Sequence, residues 1–190
     1  MGIVEERILQ SIDVKKRILD DEELIKDIFE AGKMVKNTFM EGGKVFLCGN
    51  GGSASDSIHI AAELSGRFEK IRDSLPAISL NSDVAALTAI SNDFSFDQVF
   101  ERLISGIIHK EDLLIGISTS GNSENVYRAI VKAKEMGGKT IALLGKDGGK
   151  TKGIADISIV VPGENTARIQ ESHIMIGHIL CEIAEEDYEQ

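Results

Sequence analysis

Cysteine and proline are both scarce in this 190-residue chain, at two residues each. Cys48 and Cys181 lie far apart and match no metal-binding or redox spacing, so both read as buried thiols. Two prolines against 19 glycines argue for tight strand-to-helix turns and against proline-rich linkers or disorder. No apolar stretch approaches eighteen residues, and the opening MGIVEERILQ is acidic with no apolar h-region. Neither a membrane span nor an export signal is therefore expected, which makes the cytoplasm the default location. Dense runs of lysine or arginine are missing as well. With a net charge of -10, the chain is a poor partner for nucleic acid. An anionic ligand would have to be held by short-range backbone N–H groups and hydroxyls, because the overall field repels it.

Present in quantity is ordinary globular material, 42% hydrophobic and 27% charged. The length suits one domain with a sizeable core. Residues 3–41 carry apolar positions at helical spacing (Ile8, Ile12, then Leu24, Ile28, Ala31, Val35, Phe39), broken around Asp20, Asp21 and Glu22. The pattern predicts two amphipathic helices, which either cover one side of a sheet or pack against copies of themselves. From Lys44 onward, short apolar runs alternate with helical patterns. Strands are predicted at 44–48, 76–80, 112–117, 139–144 and 157–161. Helices are predicted at 53–66, 83–91, 96–108, 123–136 and 165–186. Such alternation implies an α/β fold with a parallel sheet, right-handed crossovers and helices on both faces. Ligands of such sheets bind beyond the carboxyl ends of the strands, so the loops after 44–48 and 112–117 are the candidates.

Those two loops resemble each other. VFLCGNGGSASDSIH and LLIGISTSGNSENVY are each a strand, a Gly/Ser loop and a helix start. Side by side they would aim two helix N-termini at one small volume that suits a phosphate. Helix capping accounts for one of Ser118, Ser120 and Ser123, not readily for all three. Two other readings carry less. Gly49–Ala54 fits G-x-G-x-x-A, a form of the dinucleotide fingerprint, but Asp83 comes too late to be its acidic partner. Gly145–Thr151 looks like a nucleotide P-loop with its glycines one residue too close, and reads as a surface turn.

His59 and Glu63 stand four residues apart, side by side on one helical face. Alone they could be surface or core residues. Gln170 and His178 supply a further amide oxygen and imidazole, and the four together form a mixed set suited to a zinc-like divalent ion. Eight residues separate Gln170 from His178, about 12 Å along a continuous helix. One ion reaches both only with difficulty within one helix, so the ligands are expected to come from more than one copy of the chain. His173 and His109 read as structural or solvated, and Asn92-Asp93 by itself is a capping turn.

Taken together, Cys48–Phe68 (CGNGGSASDSIHIAAELSGRF), Leu75–Asp93 (LPAISLNSDVAALTAISND), Gly116–Val126 (GISTSGNSENV) and Ala167–His178 (ARIQESHIMIGH) closely resemble the phosphoheptose isomerases. These enzymes belong to the sugar isomerase (SIS) domain superfamily, and the similarity covers essentially the whole chain. It implies a single SIS domain at 43–190, a five-stranded parallel sheet in a flavodoxin-like three-layer sandwich. The helical pair at 1–42 would then serve oligomer contact in a homotetramer whose active sites lie at subunit interfaces. The implied reaction converts D-sedoheptulose 7-phosphate to D-glycero-D-manno-heptose 7-phosphate, an aldose–ketose isomerisation leading to nucleotide-activated heptose for lipopolysaccharide or other surface glycans.

By the same resemblance, Asn50, Gly51, Gly52, Ser53, Asn92 and Asp93 line the sugar phosphate site, and Ser118, Thr119, Ser120 and Ser123 cradle the phosphate. His59, Glu63, Gln170 and His178 match ligands of one zinc ion per site. Glu63 and His178 are also the acid/base pair, and Glu63 and Gln170 also face substrate. Two positions depart from the family pattern: Ser95 replaces a frequent glycine, and Ala167 replaces an aspartate found in some members. Competing functions on this scaffold are a partner of the bacterial replication initiator and a sugar-phosphate sensor without turnover. The intact acid/base pair favours the enzyme.

Overall fold

The computed structural model describes residues 2–188. Helices α1 (Ile3–Leu19) and α2 (Glu22–Met40) come first, divided at Asp20-Asp21 as the broken periodicity predicts. The Asp21 carboxylate accepts the Leu24 N–H at 3.0 Å and so caps α2. There follow β1 (Val45–Gly49), α3 (Gly52–Ser65), β2 (Ala77–Ser79), α4 (Val84–Asp93) and, after a 3-10 turn at Phe96–Gln98, α5 (Val99–Ser105). The chain ends with β3 (Leu113–Ser118), α6 (Glu124–Glu135), β4 (Lys139–Gly145), β5 (Ile157–Val161) and α7 (Thr166–Ala184).

All five strands are parallel, in the order β2-β1-β3-β4-β5. Every residue of β1 and β3 is buried, as it must be where helices cover both faces. Alternation along the strands divides the core in two. Val45, Leu47, Leu113 and Ile115 pack with α1, α2, α3 and α7 on one face. Phe46, Cys48, Leu114 and Ala142 pack with α5 and α6 on the other. Both cysteines are fully buried, and burial pushes the Cys181 thiol up to about 12, which leaves it unreactive.

The chain runs from β1 outward to β2, then returns to the opposite flank of β1 as β3. The strand order therefore reverses between β1 and β3, and the loops that leave these two strands must separate to opposite faces while starting side by side. Register pairs Gly49 with Ile117 at the carboxyl end. This is the crevice where such sheets bind ligands.

Candidate active site

Asn50 and Asn125 join the two loops. Asn50 Nδ2 donates to Asn125 Oδ1 at 2.8 Å, and Asn125 Nδ2 donates back to Asn50 Oδ1 at 2.9 Å. This reciprocal amide pair holds the starts of α3 and α6 at a fixed spacing. Neither helix start is capped by the side chain of the residue that precedes it: Gly51 precedes α3, and the Ser123 hydroxyl before α6 accepts from Ser118 Oγ at 3.0 Å instead. In α2, α4 and α7, by contrast, Asp21, Asp83 and Asn165 accept N–H groups of the first turn. The capping role expected for one of the three serines is thus not taken up. Within the starts of α3 and α6, Ser53 N and Ala54 N turn back to the Asn50 and Gly51 carbonyls and Val126 N to Asn125 Oδ1, so what each start offers an anion is the positive end of its helix dipole.

Two further elements fix these loops. Asn81, just past β2, donates to Gly49 O at 2.9 Å and accepts from Gly49 N at 3.1 Å. The P-loop-like segment after β4 is a turn, as expected, and it also braces the serine loop. Thr151 sends both its N–H (3.1 Å) and its hydroxyl (2.7 Å) to Gly121 O. Gly121 has φ +65°, and a Cβ there would lie 1.9 Å from Gly148 O, so no other residue fits this contact.

Beyond the loops, α3 and α7 run alongside each other and face their polar residues together. His59 Nε2 stands 3.0 Å from Glu63 Oε1 and 3.1 Å from His178 Nε2. One ligand atom from each of the three lies within 4.8 Å of the others. Two imidazole nitrogens and a carboxylate oxygen this close form a donor set that suits a divalent metal ion. The Phe68 ring stacks on His178, centroids 5.4 Å apart at 26°.

Gln170 stands nearer the loops, against Gly52. A Cβ on Gly52 would come within 2.3 Å of the Gln170 amide, so glycine is what admits that side chain. Beside it, Asp56 is buried with Oδ2 unpartnered. Burial raises the Asp56 carboxyl above the usual range, opposed by hydrogen bonding to Gln170 and the charge of His59. Three of the four expected metal ligands therefore converge within one chain, and Gln170 lies toward the opposite end of the same groove.

The other expected residues divide. Asn50, Gly51, Gly52 and Ser53 form the turn into α3, and Ser118, Thr119, Ser120 and Ser123 form the turn into α6. Asn92 and Asp93 are exposed at the end of α4, where Asn92 Nδ2 donates to Asp93 Oδ1 at 2.9 Å. Among the described residues, no hydrogen bond ties them to the two loops. His173 is structural: it is fully buried, its Nε2 donates to Leu144 O at 2.8 Å, and burial lowers its pKa to about 4. His109 is exposed. The pattern of the sequence does not mark Asn125, Asn81 or Asp56, although an asparagine two residues after the Asn122-Ser123 helix start is a weak signal of a loop-bridging amide.

Comparison with known proteins agrees with this geometry. The SIS domain family model matches residues 10–145. The phosphoheptose isomerase of a Nitratiruptor species is 62% identical over 145 residues, 76% of this chain and 78% of that one. That of Clostridium acetobutylicum is 50% identical over 186 residues, 98% of this chain and 95% of its own. Among solved structures, phosphoheptose isomerase GmhA from Neisseria gonorrhoeae superposes with a TM-score of 0.89 at 39% identity, covering 96% of this chain and 97% of its own. A parallel sheet with its switch point between two uncapped helix starts, an imidazole–carboxylate cluster beside it, and this degree of identity over nearly the whole length place the chain in the phosphoheptose isomerase family of SIS domain proteins.

Proposed function

We propose that the protein interconverts D-sedoheptulose 7-phosphate and D-glycero-D-manno-heptose 7-phosphate, supplying heptose for nucleotide activation. The observation that carries this reading is the acid/base cluster His59–Glu63–His178 set beside two uncapped helix N-termini. Ser118, Thr119, Ser120 and Ser123 hold the phosphate, and Asn50, Gly51, Gly52 and Ser53 close over the sugar chain from the β1 side. Asn92 and Asp93 contribute to the sugar site as well, and their distance from the loops in one chain fits a site completed by a neighbouring copy.

Ketose–aldose conversion moves a proton between neighbouring carbons through a cis-enediol. It needs a base for the carbon-bound proton and a group that exchanges protons with the two oxygens. Glu63 takes and returns the carbon proton, and His178 protonates and deprotonates oxygen. His59, Glu63 and His178 of one chain, with Gln170 supplied by a neighbouring copy, would hold zinc. When bound, the ion supplies polarisation of the carbonyl and enediolate oxygens.

The assembly we propose is a homotetramer. Ile3, Val4, Ile8 and Ile12 of α1 are exposed, and no residue of the apolar helix α4 is buried in the single chain. An apolar groove of about 420 Å³ lies open between α1, α2 and α7. Residues 1–42 are assigned to oligomer contact and 43–190 to the isomerase domain. Among the described residues, no helix is long and apolar enough to cross a membrane. A cytoplasmic location belongs to the same reading, since sugar phosphates do not cross membranes unaided.

The test is to incubate the purified protein with sedoheptulose 7-phosphate, with added zinc and with chelator, and to follow the sugar by NMR. Appearance of the aldose phosphate is expected. A ketose unchanged under every condition overturns the proposal.

A further inference from the structure

One buried ion pair touches the supports of both groups in the proposed chemistry, yet contributes no atom to the site. Glu185, at the carboxyl end of α7 two turns beyond His178, is 1% exposed. Its Oε1 accepts Phe68 N at 2.9 Å and Arg72 Nε at 2.7 Å. Its Oε2 accepts Glu69 N at 2.9 Å and Lys70 N at 3.0 Å. Arg72 Nη2 lies 2.6 Å from Glu185 Oε1 and also donates to the backbone carbonyl of Glu63 at 3.0 Å. Burial alone would raise the Glu185 carboxyl, but the N–H groups of Lys70, Phe68 and Glu69, together with Arg72, outweigh it and hold the carboxyl below the usual range.

The segment from Gly66 to Pro76 has no helix or strand of its own. It nevertheless carries Phe68, whose ring lies on His178. A buried ion pair is weak as a source of stability, because desolvation offsets most of the attraction. What a carboxylate with five donors does achieve is to fix the backbone of residues 68–72 to the end of α7. Through Arg72 it fixes that same point to the last turn of α3. The pair thus stands behind both the backbone of Glu63 and the ring that lies on the His178 imidazole.

We propose that Glu185 and Arg72 are positioning residues for the isomerisation, acting on Glu63 through its carbonyl and on His178 through Phe68. This rests on the isomerase reading above. The phosphate loops lie at the other end of α3, so the effect falls on turnover and not on affinity.

The test compares wild type with Glu185→Gln, Arg72→Lys and Phe68→Leu, the last keeping the ion pair in case its loss prevents folding. Each variant is assayed with sedoheptulose 7-phosphate, and the imidazole NMR signals of isotopically labelled histidine are recorded in one zinc-supplemented buffer. Expected is a fall in kcat of about 10- to 100-fold at unchanged KM in all three. In the two variants that retain the Phe68 ring, the His178 signals should move while those of exposed His109 stay in place. Wild-type kcat in Phe68→Leu, or His178 signals unmoved in folded Glu185→Gln and Arg72→Lys, overturns the inference. A wild type inert toward the sugar instead overturns the isomerase reading itself, which separates the two failures.

Discussion

At the carboxyl ends of β1 and β3, every side chain from Gly49 to Ser55 and from Ser118 to Ser123 is neutral, whereas the α3–α7 groove beside them gathers His59, Glu63, His178, Arg72 and Glu185. The loops offer hydroxyls, amides and the N-terminal ends of two helices. On the proposed reading these hold the phosphate without changing charge, which suits a chain whose overall field repels an anion. The groove offers groups that gain and lose protons, held in place by a buried ion pair. The proposed function therefore puts anchoring and chemistry on different elements, and variants in one region should leave the other's kinetic signature alone.

The strongest test of that division is at the cluster. Glu63→Gln and His178→Gln should each lower kcat by about 10²- to 10⁴-fold with KM and circular dichroism near wild type. Turnover close to wild type in either variant removes that residue from the chemistry. Breaking the bridge between the loops comes next. Asn125→Ala leaves half-buried Asn50 without its reciprocal partner, and should lower stability by about 1–3 kcal/mol in denaturant unfolding and raise KM, with kcat affected less. Ser120→Ala removes one of several phosphate donors, so KM should rise roughly tenfold at constant kcat. If kcat fell with it, the two regions would not be separable.

The smallest effects are in pH. His173 is held neutral down to about 4 by burial, only partly opposed by its bond to Leu144. The unfolded chain takes up a proton near the ordinary histidine value of about 6.5 that the folded chain refuses, so stability should fall as pH drops from about 6.5 toward 4. His173→Asn should flatten that slope in urea unfolding. Glu185 is shifted the same way, lowered in the fold, but by its N–H donors and Arg72 acting against burial. The stability gap between wild type and Glu185→Gln should be full above the ordinary carboxyl value of about 4.3 and shrink as pH falls through the lowered one.

Much of the fold is legible in the sequence because the signals are local. The apolar runs Val45–Cys48 and Leu113–Ile117, the break at Asp20–Glu22, and the Gly/Ser turns each announce an element within a few residues. His59 and Glu63 are legible for the same reason, being one helical turn apart. The features that fix the site are not local. Asn50 meets Asn125 across 75 positions, Gly49 meets Asn81 across 32, and Arg72 meets Glu185 across 113. No periodicity reports such pairs, since each depends on strand order that only the folded sheet supplies. The same limit explains Gln170: its distance along α7 from His178 could be read, but its seat against Gly52 required the packing of α7 on α3.

The claim on which all of this depends is that one sugar phosphate spans both regions, anchored by the loops and reacting in the groove. A crystal structure of the Glu63→Gln variant with sedoheptulose 7-phosphate tests it most directly. The account predicts the phosphate between the Ser118–Ser123 turn and the N-termini of α3 and α6, with C1 and C2 within reach of residue 63 and His178. A phosphate bound elsewhere, or a sugar whose C1 and C2 point away from both side chains, would contradict it.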